Sequence, residues 1–262
     1  MTTKPIALTR ELTPAIIRCE LTHVARSAID LDKARAQHTA YEQALTELGC
    51  AVQRLKAAPA MADAVFIEDT AVILDEVAVI ARPGAESRRV EVAAVAEALK
   101  PHRKLIRLES PATLDGGDVI VAGKTIFVGQ TARTNALGRE ALVRATTPYG
   151  YKVEGMTVTK CLHLKSAASL VADDTMLINP KWAWREAFLN YRIVEVDPDE
   201  PWAANALRVG DSVIHAAEFP KTRERLEQLG LRVRPVESSE LAKAEGGVTC
   251  CSLIFTAGKA AR

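Results

Sequence analysis

The chain has 262 residues, 48% apolar and 26% charged, a balance that excludes a disordered or fibrous protein and leaves enough length to bury a sizeable core. Lys and Arg total 34 against 33 Asp and Glu, so no whole-molecule field draws the protein to nucleic acid or to an anionic membrane. No run reaches membrane-span length and the start lacks a basic-then-apolar leader with a cleavage site, so a cytoplasmic protein is expected.

Read in chain order, one unit recurs. Residues 6–9 are a short β-like segment, and residues 11–30 contain Pro14 and no sustained amphipathic period. That segment reads either as a covering loop or as a plain surface connection. Residues 32–48 form a helix stopped by Gly49. After Phe66-Ile67-Glu68-Asp69-Thr70 come a strand over 71–74, a break at Asp75-Glu76 and a strand over 77–81. A helix follows, with Ser87 as N-cap and Val92, Val95, Ala96 and Leu99 on one face.

The order returns after Leu114-Asp115-Gly116-Gly117-Asp118, with strands over 119–121 and 125–128 and a helix capped by Asn135. It returns again after His163-Leu164-Lys165-Ser166, with strands over 168–172 and 176–178 and a helix near 182–189. A fourth copy follows Ala204-Asn205-Ala206, with strands over 207–209 and 212–216 and a helix over 222–229 stopped by Gly230. A fifth opens at Gly246-Gly247-Val248-Thr249-Cys250-Cys251-Ser252 and runs into a strand over 253–255 without a returning strand. The missing partner is expected from residues 6–9, which predicts a closed ring of five ββα-type modules in one domain over 1–262. Four-stranded propeller blades are the rival, and they have no place for a helix in each unit.

The modules open on Glu68/Asp69, Asp115/Asp118, His163/Ser166, Asn205 and Cys250/Ser252. Around an axis these equivalent positions converge and assemble a thiol, an imidazole and carboxylates. Taken singly, Cys250 would be a small buried hydrophobe and His163 a core or surface histidine. At equivalent module openings they read as nucleophile and acid/base, with Asp115 orienting the imidazole. Glu68 and Asp69 are adjacent carboxylates between apolar residues, which need a cation, and a planar guanidinium fits. Phe66 either offers that cation an aromatic face or is plain core ahead of a strand. Arg88 and Arg133 occupy corresponding places after second strands and suit a substrate carboxylate, although each alone would read as a solvated helix-start arginine. The five cysteines are scattered and the adjacent pair lacks zinc-site spacing, so reduced thiols are expected; the catalytic reading itself calls for no metal and no cofactor.

In five ordered motifs the chain resembles the dimethylarginine dimethylaminohydrolases of the guanidino-modifying (pentein) superfamily. They are Phe66-Ile67-Glu68-Asp69-Thr70-Ala71, Arg82-Pro83-Gly84-Ala85 through Arg88-Arg89, Thr113-Leu114-Asp115-Gly116-Gly117-Asp118-Val119, Leu162-His163-Leu164-Lys165-Ser166 and Thr249-Cys250-Cys251-Ser252. The resemblance implies a five-bladed α/β propeller of ββαβ modules. It implies Cys250 rather than Cys251 as nucleophile, with His163 and Asp115. Asp63, Glu68 and Asp69 fall around the guanidino end, Arg88 and Arg133 at the amino-acid end, Leu21 on a covering loop, and Gly247 as a backbone contact. The implied reaction takes Nω-methylated arginine to citrulline and methylamine or dimethylamine, in a monomer or homodimer with no nucleic-acid or membrane partner. Arginine deiminase chemistry on plain arginine, and non-catalytic ribosome binding by the same fold, are the alternatives.

Overall fold

The computed structural model describes residues 4–258. The first strand, β1 (Pro5–Arg10), is followed by helix α1 (Leu31–Glu47) and β2 (Ala51–Leu55). Then come β3 (Ala71–Ile73), β4 (Val77–Ile80), α2 (Val92–Leu99) and β5 (Lys104–Arg107), and next β6 (Val119–Ala122), β7 (Thr125–Gln130), α3 (Ala136–Thr146) and β8 (Lys152–Thr157). The one-turn α4 (Leu164–Ala167) precedes β9 (Ala168–Ala172), β10 (Thr175–Ile178) and β11 (Arg192–Glu195). Last are β12 (Ala206–Val209), β13 (Ser212–Ala216), α5 (Pro220–Gln228), β14 (Arg232–Val236), the short α6 (Ser239–Ala242) and β15 (Leu253–Thr256).

The strands form five three-stranded sheets, each with an antiparallel first pair and a parallel third strand. That is the ββαβ unit, in which two hairpin strands are followed by a crossover to a parallel one. The five first strands β3, β6, β9, β12 and β15 together line an axial cavity of ≈ 300 Å³. The expected ring closure is present: β15 pairs antiparallel with β1 (Leu253 with Leu8, Phe255 with Ile6), and β1 pairs parallel with β2. Among the described residues no helix is long and apolar enough to cross a membrane.

The helices pack their apolar stripes against the sheets. Asp30 caps α1 by accepting from the amides of Asp32 and Lys33, and Gly49 stops it at φ +97°. Its buried Ala34, Tyr41, Ala44 and Leu45 meet Ile214 and Val236 of the β12–β13–β14 sheet. The face of Val95, Ala96 and Leu99 on α2 packs with Leu8, Ile80, Leu253 and Phe255, so this helix seals the closing sheet to its neighbour. Asn135 caps α3 through the Gly138 amide at 2.7 Å, as its position suggests.

Two local expectations differ. Ser87 caps no helix: a 3₁₀ turn runs over Glu86–Glu91, and the Ser87 hydroxyl donates to Glu20 at 2.7 Å, so α2 begins at Val92. The helix expected over 182–189 is a single 3₁₀ turn, Arg185–Phe188. Its segment buries Phe188 but exposes Trp184 (70%) and Leu189 (72%), so no apolar stripe extends far enough to hold a longer helix.

Leu8 is fully buried between the closing sheet and α2. Leu8→Ala is expected to cost about 2–5 kcal/mol in denaturant unfolding. A cost well under 1 kcal/mol would mean that ring closure contributes little to stability.

Candidate active site

The residues preceding the first strands meet at one end of the axis. His163 stands before α4, and its Nε2 lies 3.0 Å from Asp115 Oδ2 while Nδ1 lies 3.8 Å from Asp69 Oδ1. Asp115 is fully buried; its other oxygen accepts the Gly84 amide at 2.9 Å, so the carboxylate is fixed from both sides. The imidazole sits against Gly117, where a Cβ would come within 2.6 Å of the ring. The second glycine of Asp-Gly-Gly is therefore required by this close approach.

Asp69 is held by Arg88 at 2.5 Å and by the Gly117 amide at 3.0 Å. Burial pushes its carboxyl up, but the His163 and Arg88 charges and the amide outweigh that and bring it down to about 2. For His163, burial favours the neutral ring; Asp69, the Asp115 hydrogen bond and Asp118 overcome it and raise the imidazole to about 9. Asp118 is pushed up to about 6 by burial, against His163, Thr131, Thr134 and the Leu164 amide. Through that amide, at 3.0 Å, Asp118 anchors the start of α4 just behind His163.

Cys250 alone among the five free cysteines is partly exposed; the others are buried. Its Sγ accepts the Gly247 amide at 3.3 Å, and its carbonyl accepts the Glu68 amide at 3.1 Å. Burial, then Glu68 and Asp69, raise the thiol to about 12. Cys251 is fully buried in the core cluster.

Cys250 and His163 line one small cavity of ≈ 20 Å³, room for about one water. Of the expected residues, Asp63, Phe66, Asp69, Arg88 and Arg133 line it too, and Asp115 lies behind His163. Three more of the expected residues do not line it. Glu68 faces away: it takes Lys165 Nζ at 2.6 Å and the Thr249 hydroxyl at 2.8 Å, and it lines the axial cavity, because a lysine from another module already supplies its cation. Leu21 packs into the core cluster with Cys19 and Phe66 instead of lining the cavity. Gly247 touches Cys250 through its amide, whereas Ala244 and Glu245 contribute to the cavity wall.

The two arginines are unlike. Arg88 is spent inside the protein, on Asp69, Glu91 and the carbonyls of Phe66 and Asp63. Arg133 has a 3.4 Å contact to the Thr22 hydroxyl and stands 4.0 Å from Asp115, so its fork retains donors for a ligand. Glu20, Leu162, Ala244 and Glu245 are cavity residues that the sequence reading did not place there. Only Leu162 and Ala244 carry a signal, as apolar neighbours of the His163 and Gly-Gly motifs.

Asp69, Asp115 and His163 each offer a ligand atom within 4.8 Å of the others, a spacing that a metal ion could bridge. Here the three are already matched as charges, the imidazole lying between the two carboxylates with Arg88 behind Asp69.

No family model matches the chain. It is 39% identical over 249 residues to an N(G),N(G)-dimethylarginine dimethylaminohydrolase of Streptomyces coelicolor, covering 94% of this chain and 95% of that one. It is 35% identical over 228 residues to the enzyme of that name from Pseudomonas aeruginosa, covering 86% and 90%. A cysteine-to-serine mutant of the Pseudomonas aeruginosa protein, complexed with citrulline, superimposes with a TM-score of 0.92 at 32% identity, over 97% of this chain and all of that one. The N-terminal domain of the cyanobacterial arginine dihydrolase ArgZ, at 18% identity and a TM-score of 0.84, shares the fold. With the five-module ring in place and relatives above 30% identity matched over most of their length, the chain belongs to the dimethylarginine dimethylaminohydrolase family.

Proposed function

We propose that the chain hydrolyses Nω-methylated L-arginine to L-citrulline and methylamine or dimethylamine through a thiouronium intermediate on Cys250. The observation that carries this reading is the meeting of Cys250, His163 and the carboxylates of Asp69 and Asp63 in one cavity. Citrulline bound to the Pseudomonas aeruginosa relative, and the S-methyl-L-thiocitrulline adduct of a dimethylarginine dimethylaminohydrolase, support the ureido product and the covalent route.

The resting protonation states make the substrate part of the mechanism. With the thiol near 12 and the imidazole near 9, the free enzyme at neutral pH holds a neutral thiol beside a protonated His163. The nucleophile is the thiolate. A guanidinium about 4 Å from Sγ contributes about 4 kcal/mol at an effective dielectric of 20, worth about three pKa units. Binding the cation against Asp69 and Asp63 thus lowers the thiol toward the working range, and its proton leaves to solvent. Sγ then bonds to the guanidinium carbon, and the C–N bond to the methylated nitrogen breaks as His163 donates its proton to the departing amine. A water gives its proton to the now neutral His163 and adds to the same carbon. The C–S bond breaks as the added hydroxyl gives its proton to the departing sulfur, which leaves the ureido C=O and restores the neutral thiol and the protonated His163.

Arg88 keeps Asp69 ionised, and Arg133 takes the α-carboxylate. Lys165 and Glu68 close the floor between this cavity and the axial one. The reading takes the whole chain as one catalytic domain, acting as a monomer or homodimer in the cytoplasm, where five unpaired cysteines are compatible with reducing conditions.

Citrulline formation on asymmetric dimethylarginine, monomethylarginine and arginine, measured side by side, is expected to favour the methylated substrates by roughly 10–200-fold in kcat/KM. Preference for arginine would make the protein a deiminase. Cys250→Ser is expected to lower kcat by about 10³-fold or more, and full turnover by that variant would remove the covalent route.

The raised imidazole also predicts a stability profile. A folded-state pKa above the unfolded value of about 6.5 gives stability that is fully present below that value and lost as pH rises through about 9. Thermal unfolding of the native protein should therefore lose up to about 3 kcal/mol between pH 6.5 and pH 9.5 that His163→Gln does not lose. Parallel pH profiles for the two proteins would show that His163 is not held protonated.

A further inference from the structure

A cavity with room for about one water cannot admit an amino acid bearing a guanidino group, so part of its wall must move. The segment preceding α1 crosses the cavity, and its inner part is well tied. Asp63 accepts the Glu20 amide with both oxygens at 3.2 Å, and the Ser87 hydroxyl reaches Glu20 at 2.7 Å. Farther along, Lys243 holds the Ala28 carbonyl at 3.0 Å and Glu240 the Asp30 amide at 2.9 Å.

The tip, residues 22–24, is held differently. The amides of Thr22 (2.9 Å), His23 and Val24 (2.8 Å) all donate to the carboxylate of Glu245. Three successive amides around one carboxylate make a compact anion nest. Among the described residues, the only other polar tie on the tip is the 3.4 Å contact from Arg133 to the Thr22 hydroxyl.

Glu245 sits at φ +58°, a region that residues other than Gly, Asn and Asp seldom adopt. It lies between Ala244, which lines the catalytic cavity, and Gly246, which lines a neighbouring cavity of ≈ 190 Å³. Glu245 borders both, and His23 and Val24 border the second. The tip therefore has open space beside it once the carboxylate lets go.

We infer that Glu245 is a positioning residue that latches the tip of the lid, residues 22–24, over the catalytic cavity through its carboxylate. The inference rests on that cavity being the substrate site. Entry of substrate breaks the three-amide nest, and closure behind the substrate remakes it. A closed lid excludes competing water while the thiouronium forms.

The test compares Glu245→Gln, Glu245→Asn and His23→Pro with the native protein. Glutamine keeps the length but replaces one acceptor oxygen with a donor facing the lid amides. Asparagine suits the left-handed backbone but is shorter, and proline removes one donor from the lid side without touching the fifth module. Amide hydrogen exchange in the ligand-free proteins is expected to quicken at least tenfold at the amides remaining in 22–24, with the strands unchanged. KM for the methylated substrate is expected to rise about tenfold while kcat changes by less than threefold.

Unchanged exchange at the tip in the Glu245 variants would overturn the latch, as would a fall in kcat with KM constant, which would put Glu245 in the chemistry. Should either Glu245 variant fail to fold, His23→Pro decides by the same two readouts. The exchange arm needs no substrate: faster tip exchange in a protein inert on every guanidino compound would support the latch and remove the substrate-site reading instead.

Discussion

The structure depends on how buried charges are matched at one end of the axis. Arg88, Asp69, His163 and Asp115 are each less than a twentieth exposed, and a charge so placed is costly unless partners sit at contact distance. The partners come from different modules: Asp69 and Arg88 from the first full module, Asp115 from the next and His163 from the one after. Displacing one module would leave an unmatched charge in the low-dielectric interior. The ring geometry and the protonation state of the imidazole are thus two sides of the same constraint.

Burial first, and then the carboxylates of Glu68 and Asp69, push the Cys250 thiol up. Asp69 is common to both groups: it favours the imidazolium of His163 and disfavours a thiolate on Cys250. In the proposed reaction the guanidinium is both the group to be cleaved and the charge that favours a thiolate.

The ring was legible in the sequence because each module opens on polar residues followed by two short β-rich runs, and that pattern is local. That Cys250, His163 and Asp115 would meet was legible because they fall at equivalent module positions. What was missed depends on partners distant in the chain. Ser87 has the chemistry of a cap, but its hydroxyl is taken by Glu20. Glu68 was rightly read as a carboxylate needing a cation; the cation is Lys165, which no spacing rule connects to it. The Glu245 nest is invisible in sequence, since its donors are backbone amides 221 to 223 residues away and any residue type supplies them. Trp182 and Phe188 suggested a helix although they bury isolated positions and not a stripe.

Ring closure by β1 and β15 also has a meaning for synthesis. Among the described strands, the one that follows Cys250 is translated after the other fourteen, and it settles between β1 and β3. Until it emerges, His163 and its carboxylates already belong to complete modules, while β1 lacks its antiparallel partner. Vectorial translation therefore brings Cys250 to the cavity in the same event that removes the ring's open edge.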